Sequence, residues 1–168
     1  MKELTELKPL EMAVTQPFFS AGIQVYQIID WVVSQTGPVH VMNTTFSVAE
    51  EFLRAVFRLK NKGLIISSIE VADLKSAAKT AKINDLLRAV FDKVYLAENH
   101  SKVVLLYNEK IKVAIITSQN QTRGNRHEAG IITTDGEIFS QLFDEISKMI
   151  ESKSVKWSKG EPLPQTLT

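Results

Sequence analysis

Along the chain, apolar positions fall into short blocks whose spacing switches between that of a helix and that of a strand. Residues 1–12 alternate charge with Leu and give only a weak helical hint. Within residues 18–33, Val25, Ile28, Ile29 and Val32 recur at three- and four-residue spacing, which predicts one face of a helix. Gly37-Pro38 stops it, and residues 39–42 then read as a short strand running into the polar Asn43-Thr44-Thr45. Ser47 and Glu50 have the spacing of a capping box, opening a helix with Phe52, Leu53, Val56 and Phe57 inward and ending near Gly63. Residues 64–71 are rich in β-branched side chains and predict a strand. Residues 75–91 return to helical spacing through Ala78, Leu86, Leu87 and Val90.

Three strand candidates follow at residues 93–97, 102–107 and 111–117, and the turn Asn108-Glu109-Lys110 makes a hairpin of the last two. Residues 118–127 carry no apolar period, and residues 130–133 form a further short strand. Thr134 and Glu137 repeat the capping-box spacing before a helix with Ile138, Leu142, Ile146 and Met149 on one face. Strand and helix alternate and a hairpin follows, which predicts a single α/β domain: a sandwich with a mixed β-sheet flanked by helices. Residues 16–152 form that domain, residues 1–15 an N-terminal extension, and residues 153–168, with two prolines and few apolar positions, a flexible tail.

Composition narrows the function classes. The chain has 168 residues, 44% hydrophobic and 23% charged, the balance of an ordinary globular protein. A formal charge of +1 does not by itself demand nucleic acid as a partner, though a local patch can still hold phosphate. The absence of cysteine excludes a disulfide scaffold, a thiolate zinc site and a cysteine nucleophile. The charged first residues lack the apolar centre of a secretory signal, and no apolar run approaches a membrane span; the expectation is a cytoplasmic protein with no membrane partner.

Candidate chemistry gathers after residue 99. Of the three histidines, His100 sits just before a strand, with Lys102 two positions on and therefore on the same side. Ser118 and Asn120 repeat that spacing where the neighbouring strand runs out, and antiparallel pairing brings the two ends together. A neutral imidazole can attack phosphorus, and a lysine ammonium neutralises non-bridging oxygens. Ser and Asn add hydrogen bonds where charge develops, and Glu128 is placed to orient the imidazole.

The runs His100-Ser101-Lys102 to Tyr107-Asn108, Thr117-Ser118-Gln119-Asn120 and Asn125-Arg126-His127-Glu128 resemble the phospholipase D superfamily, whose signature is H-x-K-x4-D, then G-S-x-N, then a glutamate before a hydrophobic strand. Order and spacing match over residues 95–150. The resemblance implies a phospholipase D-like α/β sandwich and a phosphodiesterase. It makes His100 the nucleophile or acid, has Lys102, Ser118 and Asn120 bind phosphate, and lets Glu128 steady the histidine. Tyr107 stands where the family has aspartate and Thr117 where it has glycine. One motif supplies one histidine where the reaction uses two, so the resemblance to short single-motif nucleases implies a homodimer acting on DNA or RNA. It implies no cofactor and no obligatory metal.

Other residues have plainer readings. His40 reads as a packed strand histidine, and His127 as facing away from Glu128. Arg123 and Arg126 either guide a polyanion or are solvated loop charges. Lys60 and Lys62 complement a helix dipole, and Ser67-Ser68 fill a strand. Two alternatives to the enzyme stay open: a catalytically inactive nucleic-acid-binding dimer that keeps the phosphate pocket, and a non-catalytic interaction scaffold.

Overall fold

The structure, a computed structural model, describes residues 3–79, 81–158 and 160–164. Two short 3-10 turns, Glu3–Glu6 and Leu10–Met12, lead into strand β1, Thr15–Ser20. There follow α1 (Val25–Thr36), β2 (Val39–Thr45), α2 (Glu50–Asn61), β3 (Ile65–Asp73), α3 (Leu74–Lys79) and α4 (Ala81–Val90). The second half holds β4 (Lys93–Ala97), β5 (Val103–Tyr107), β6 (Lys112–Thr117), β7 (Glu128–Thr133), α5 (Gly136–Lys153) and β8 (Ser154–Lys156). The strands make one sheet in the order β1-β7-β6-β5-β2-β3-β4-β8. The pairs β2–β3 and β3–β4 are parallel and the others antiparallel, so the sheet is mixed, as the sequence predicts.

Helices cover both faces because alternate residues of the central strands are apolar on both sides. One face packs Val41, Val104, Leu106 and Ile115 against Ile28, Ile29 and Val32 of α1 and Phe52, Leu53 and Val56 of α2. The other packs Met42, Val71, Val103 and Leu105 against Phe139 and Ile146 of α5.

Several local expectations are corrected. Residues 18–20 belong to a strand, and the first helix begins only at Val25. β1 pairs on one side alone, with β7, so Pro17 is tolerated despite lacking an N–H. The expected Ser47–Glu50 capping box does not form: the N-cap is Ala49, without a side-chain cap, and its N–H donates to the Gln121 carbonyl at 2.9 Å. At α5 the cap is Asp135 rather than Thr134, its carboxylate accepting from the N–H groups of Glu137 and Ile138. The capping box that does form joins Gln24 and Gln27. Phe57 is 47% exposed and Ile138 38%, and Phe139 takes the inward place expected of Ile138.

Lys60 does more than face a helix dipole. Its Nζ donates to Asp92 Oδ1 at 2.6 Å and to the Val90 carbonyl at 3.0 Å, tying α2 to the end of α4. Nor are the two serines filler, since Ser68 holds Asp92 Oδ2 and Ser67 Oγ lies 2.7 Å from His40 Nδ1. Residues 1, 2, 159 and 165–168 of the two expected end segments lie outside the described residues. Leu10 is buried, and Ser154–Lys156 pairs with β4. Trp157 is buried beneath the Arg88 guanidinium, 4.2 Å from the ring centroid. The segment read as a loose tail is therefore paired over its first residues, because β4 offers it a free edge and Trp157 an anchor.

Candidate active site

β2, β3 and β4 end, β5 and β7 begin, and β6 ends at one end of the sheet. The register carries this to the candidate residues. The Thr117 N–H donates to the Lys102 carbonyl at 3.1 Å, and the Ser118 N–H to the Ala129 carbonyl at 2.9 Å. Lys102, Ser118 and Glu128 thus stand at the mouths of three neighbouring strands.

Side chains complete the cluster. Lys102 Nζ lies 3.0 Å from His100 Nδ1 and donates to the His100 carbonyl at 2.8 Å. The imidazole is exposed on one side and packs against the Phe46 ring on the other, with centroids 4.9 Å apart. The Ser118 hydroxyl donates to Glu128 Oε2 and accepts from the Ala129 N–H at 3.1 Å. Partial burial holds the Lys102 ammonium below the usual lysine range, and the Glu128 carboxylate nearby pulls it back up. Asn120 is half-buried, and its Oδ1 is shut from solvent without a hydrogen-bond partner. His100, Lys102, Ser118 and Glu128 are linked by these interactions, whereas no hydrogen bond ties Asn120 to them. Within this one chain Glu128 holds Ser118 and does not bond to His100.

Two buried scaffolds that the sequence reading missed hold these groups in place. Asn99 donates to the carbonyls of Thr45 and Val71, and its N–H donates to Asp73 Oδ2 at 3.2 Å. Asn99 Oδ1 accepts from the Ser101 N–H at 3.0 Å, which fixes the turn carrying His100. On the other side, Gln119 Oε1 accepts from the Val25 N–H at 2.9 Å, and Gln24 bonds both Gln119 and Gly124. Gln121 takes its place through Thr45 Oγ1, the Ala49 N–H and Glu70 Oε2. Gln119 and Gln121 are buried while Ser118 is exposed and Asn120 half-buried, so the segment alternates like a strand although its inward residues are polar. That alternation of Gln with Ser and Asn was the available signal, hidden because every position is polar.

Beneath Gln121 lies Glu70, wholly buried on β3 and in register with Asn43 of β2. Burial pushes its carboxyl up to about 8, against the pull of the Asn43 and Gln121 amides. Tyr107, in the place of the motif aspartate, lies at the far end of β5 from His100, paired with His40 and Lys112. Its ring meets those of His40, Phe139 and Phe143. The departure therefore falls in the packing beneath α5 and removes no group from the cluster. His127 faces away from Glu128 as expected and stacks on Phe19. Among the described residues, no three His, Cys, Asp or Glu side chains cluster as metal ligands.

No protein-family model and no curated protein matches the chain. Among solved structures it is similar to Nuc, a phospholipase D family member from Salmonella typhimurium, with a TM-score of 0.63 and 14% identity over 86% of this chain and 98% of that one. It is similar to NucT from Helicobacter pylori, with a TM-score of 0.61 and 18% identity over 83% of this chain and 98% of that one. A third is the phosphatidylserine synthase of Haemophilus influenzae Rd KW20, with a TM-score of 0.59 and 12% identity over 85% of this chain and 40% of that one. At these identities the likeness is one of fold.

Proposed function

We propose that this chain, which has the fold of the phospholipase D family, is a metal-independent phosphodiesterase acting on nucleic acid through His100 at a homodimer interface. The observation that carries the reading is the Lys102 ammonium seated on His100 Nδ1, beside the Ser118–Glu128 pair. A cation, an imidazole, a hydroxyl and a carboxylate at three strand mouths suit a phosphate group undergoing transfer.

With Lys102 donating to Nδ1, a neutral imidazole carries its proton on Nε2 and has no lone pair there for attack. A phosphodiester draws the ammonium to its oxygens by a charge-assisted bond and releases Nδ1. The ring can then hold its proton on Nδ1, steadied by a Glu128 carboxylate, and attack with Nε2. The N–P bond forms as the bond to the leaving oxygen breaks, and His100 of the partner subunit gives that oxygen its proton. Water then cleaves the phosphohistidine, returning a proton to His100 of the partner subunit. Ser118, once released by Glu128, and Asn120, with its unpartnered Oδ1 turned aside for its amide donor, hold the non-bridging oxygens.

The test is to measure binding and turnover of a single-stranded oligonucleotide and of a small phosphodiester. His100→Asn should bind but lose turnover by roughly 10⁴-fold or more, as removal of a nucleophile does. Lys102→Ala should weaken both binding and rate. Wild type that binds without turnover, with His100→Asn indistinguishable from it, would replace the enzyme by a silent binder. Sedimentation showing only monomer with activity retained would remove the dimer.

A further inference from the structure

Helices α1 and α2 pack side by side on one face of the sheet, and Leu7 of the N-terminal segment joins the same core. Where the three meet there is a cavity of about 880 Å³. That is the size of a small-molecule site, which is typically concave and apolar with a few polar groups at its rim. Leu7, Leu59 and the Trp31 ring supply its apolar wall; Leu59 is buried, and Leu7 and Trp31 are half-buried. None of His100, Lys102, Ser118, Asn120 and Glu128 lines it, so it is separate from the candidate active site.

The polar groups at the cavity decide what it suits. Arg58 and Lys62 stand one turn apart at the end of α2, so their side chains share one side of that helix. Both are exposed, and neither makes an ion pair among the described residues. This holds although Asp30, on the α1 wall, lines the same cavity. Two unneutralised cations therefore face one carboxylate. Burial holds the Tyr26 hydroxyl above the usual tyrosine range, with Glu51 adding to the rise, and Arg123 and Arg58 pull against it. The Arg58 charge is thus felt on the opposite, α1 wall, where Tyr26 also lines the cavity. The Trp31 indole N–H donates to no group among the described residues, so that ring offers a donor as well as a flat face.

We infer that this cavity binds a small amphipathic anion, with a flat apolar ring against Trp31, Leu7 and Leu59 and a carboxylate, sulfonate or phosphate at Arg58 and Lys62. A guanidinium and an ammonium one helical turn apart suit a single oxyanion, the first through paired N–H donors and the second as a point charge. A cationic ligand would meet both of them with Asp30 alone in its favour. The inference does not rest on the phosphodiesterase reading above.

The experiment titrates the full chain with three ligands that share one ring: naphthalene-1-sulfonate, 1-naphthalenemethanol and 1-naphthylmethylammonium. Amide shifts in NMR both locate the ligand and give its affinity. They should gather on residues 26–34 and 55–62. The sulfonate should bind about 10-fold more tightly than the alcohol, the scale of two exposed ion pairs, and the ammonium no better than the alcohol. Added salt should narrow that difference. Arg58→Gln combined with Lys62→Gln should bring the sulfonate down to the alcohol's affinity and leave the alcohol's own affinity unchanged. Both residues are exposed, so the double variant is expected to fold, which circular dichroism checks. Trp31→Leu should weaken all three ligands. Equal affinity for the three, or none for any, overturns the inference. Shifts gathered on residues 100–102 and 118–128 assign the anion to the candidate active site and overturn it as well. Sulfonate binding that weakens as protein concentration rises, with a dimer in sedimentation that the double variant lacks, overturns it in favour of a second copy covering the cavity.

Discussion

Glu70→Gln should raise stability at neutral and alkaline pH and leave it unchanged in acid. Glu70 is wholly buried, with Oε2 accepting from Gln121 Nε2 at 3.4 Å and Oε1 without a hydrogen-bond partner. Its carboxyl is pushed up from the ordinary 4.5 to about 8, chiefly by burial. Below pH 4.5 the folded and unfolded chains both hold the proton, so no stability depends on it. Between 4.5 and 8 the unfolded chain releases the proton and the folded chain keeps it, so stability falls as pH rises, by about 1.4 kcal/mol for each pH step of one. The loss amounts to about 3 kcal/mol at pH 7 and about 5 kcal/mol above pH 8. Glutamine has the shape of the protonated acid and does not titrate. For a chain of this length, about 3 kcal/mol corresponds to a melting difference of roughly 6–12 °C. Thermal unfolding of both proteins from pH 4 to 8.5 provides the assay, since every other titrating group cancels in the difference. Melting curves that stay parallel across that range would refute the assignment of a buried, proton-bearing Glu70.

Three further outcomes follow from the packing and the chemistry. Gly130→Ala would place a Cβ 2.4 Å from the Phe18 ring and 2.7 Å from the Ile116 carbonyl oxygen, so unfolding in urea should show a loss of about 1–3 kcal/mol. Gln119→Ala strips the Val25 N–H and Gln24 of a buried partner and should cost about 1–3 kcal/mol, with faster amide exchange over residues 118–124. Turnover by the wild-type chain should persist in excess chelator, because His100 and Lys102 supply nucleophile and charge; loss on chelation with recovery on adding magnesium or zinc would overturn that chemistry.

The features legible in the sequence are those whose physical signal is local. β4, Lys93–Ala97, and the β5–β6 hairpin show in short apolar runs and turn residues, and α1 and α2 in a 3.6-residue apolar period. The H-x-K and S-x-N spacings are legible for the same reason, since residues two apart near a strand end share a side. Tertiary structure alone decided the rest. Thr15–Ser20 is a strand because its partner lies more than a hundred residues later, and nothing within its own window separates it from the helix that follows. Ala49 opens α2 without a side-chain cap because the loop from the far end of the chain bonds its N–H. Gln119 and Gln121 fall in a polar stretch without any apolar period, yet they are buried because distant backbone and side-chain groups bond to them. Glu70, within the stretch read as an ordinary strand, becomes a proton-holding group only when β2, β3 and that loop close over it and exclude water, since solvation depends on neighbours in space rather than in sequence.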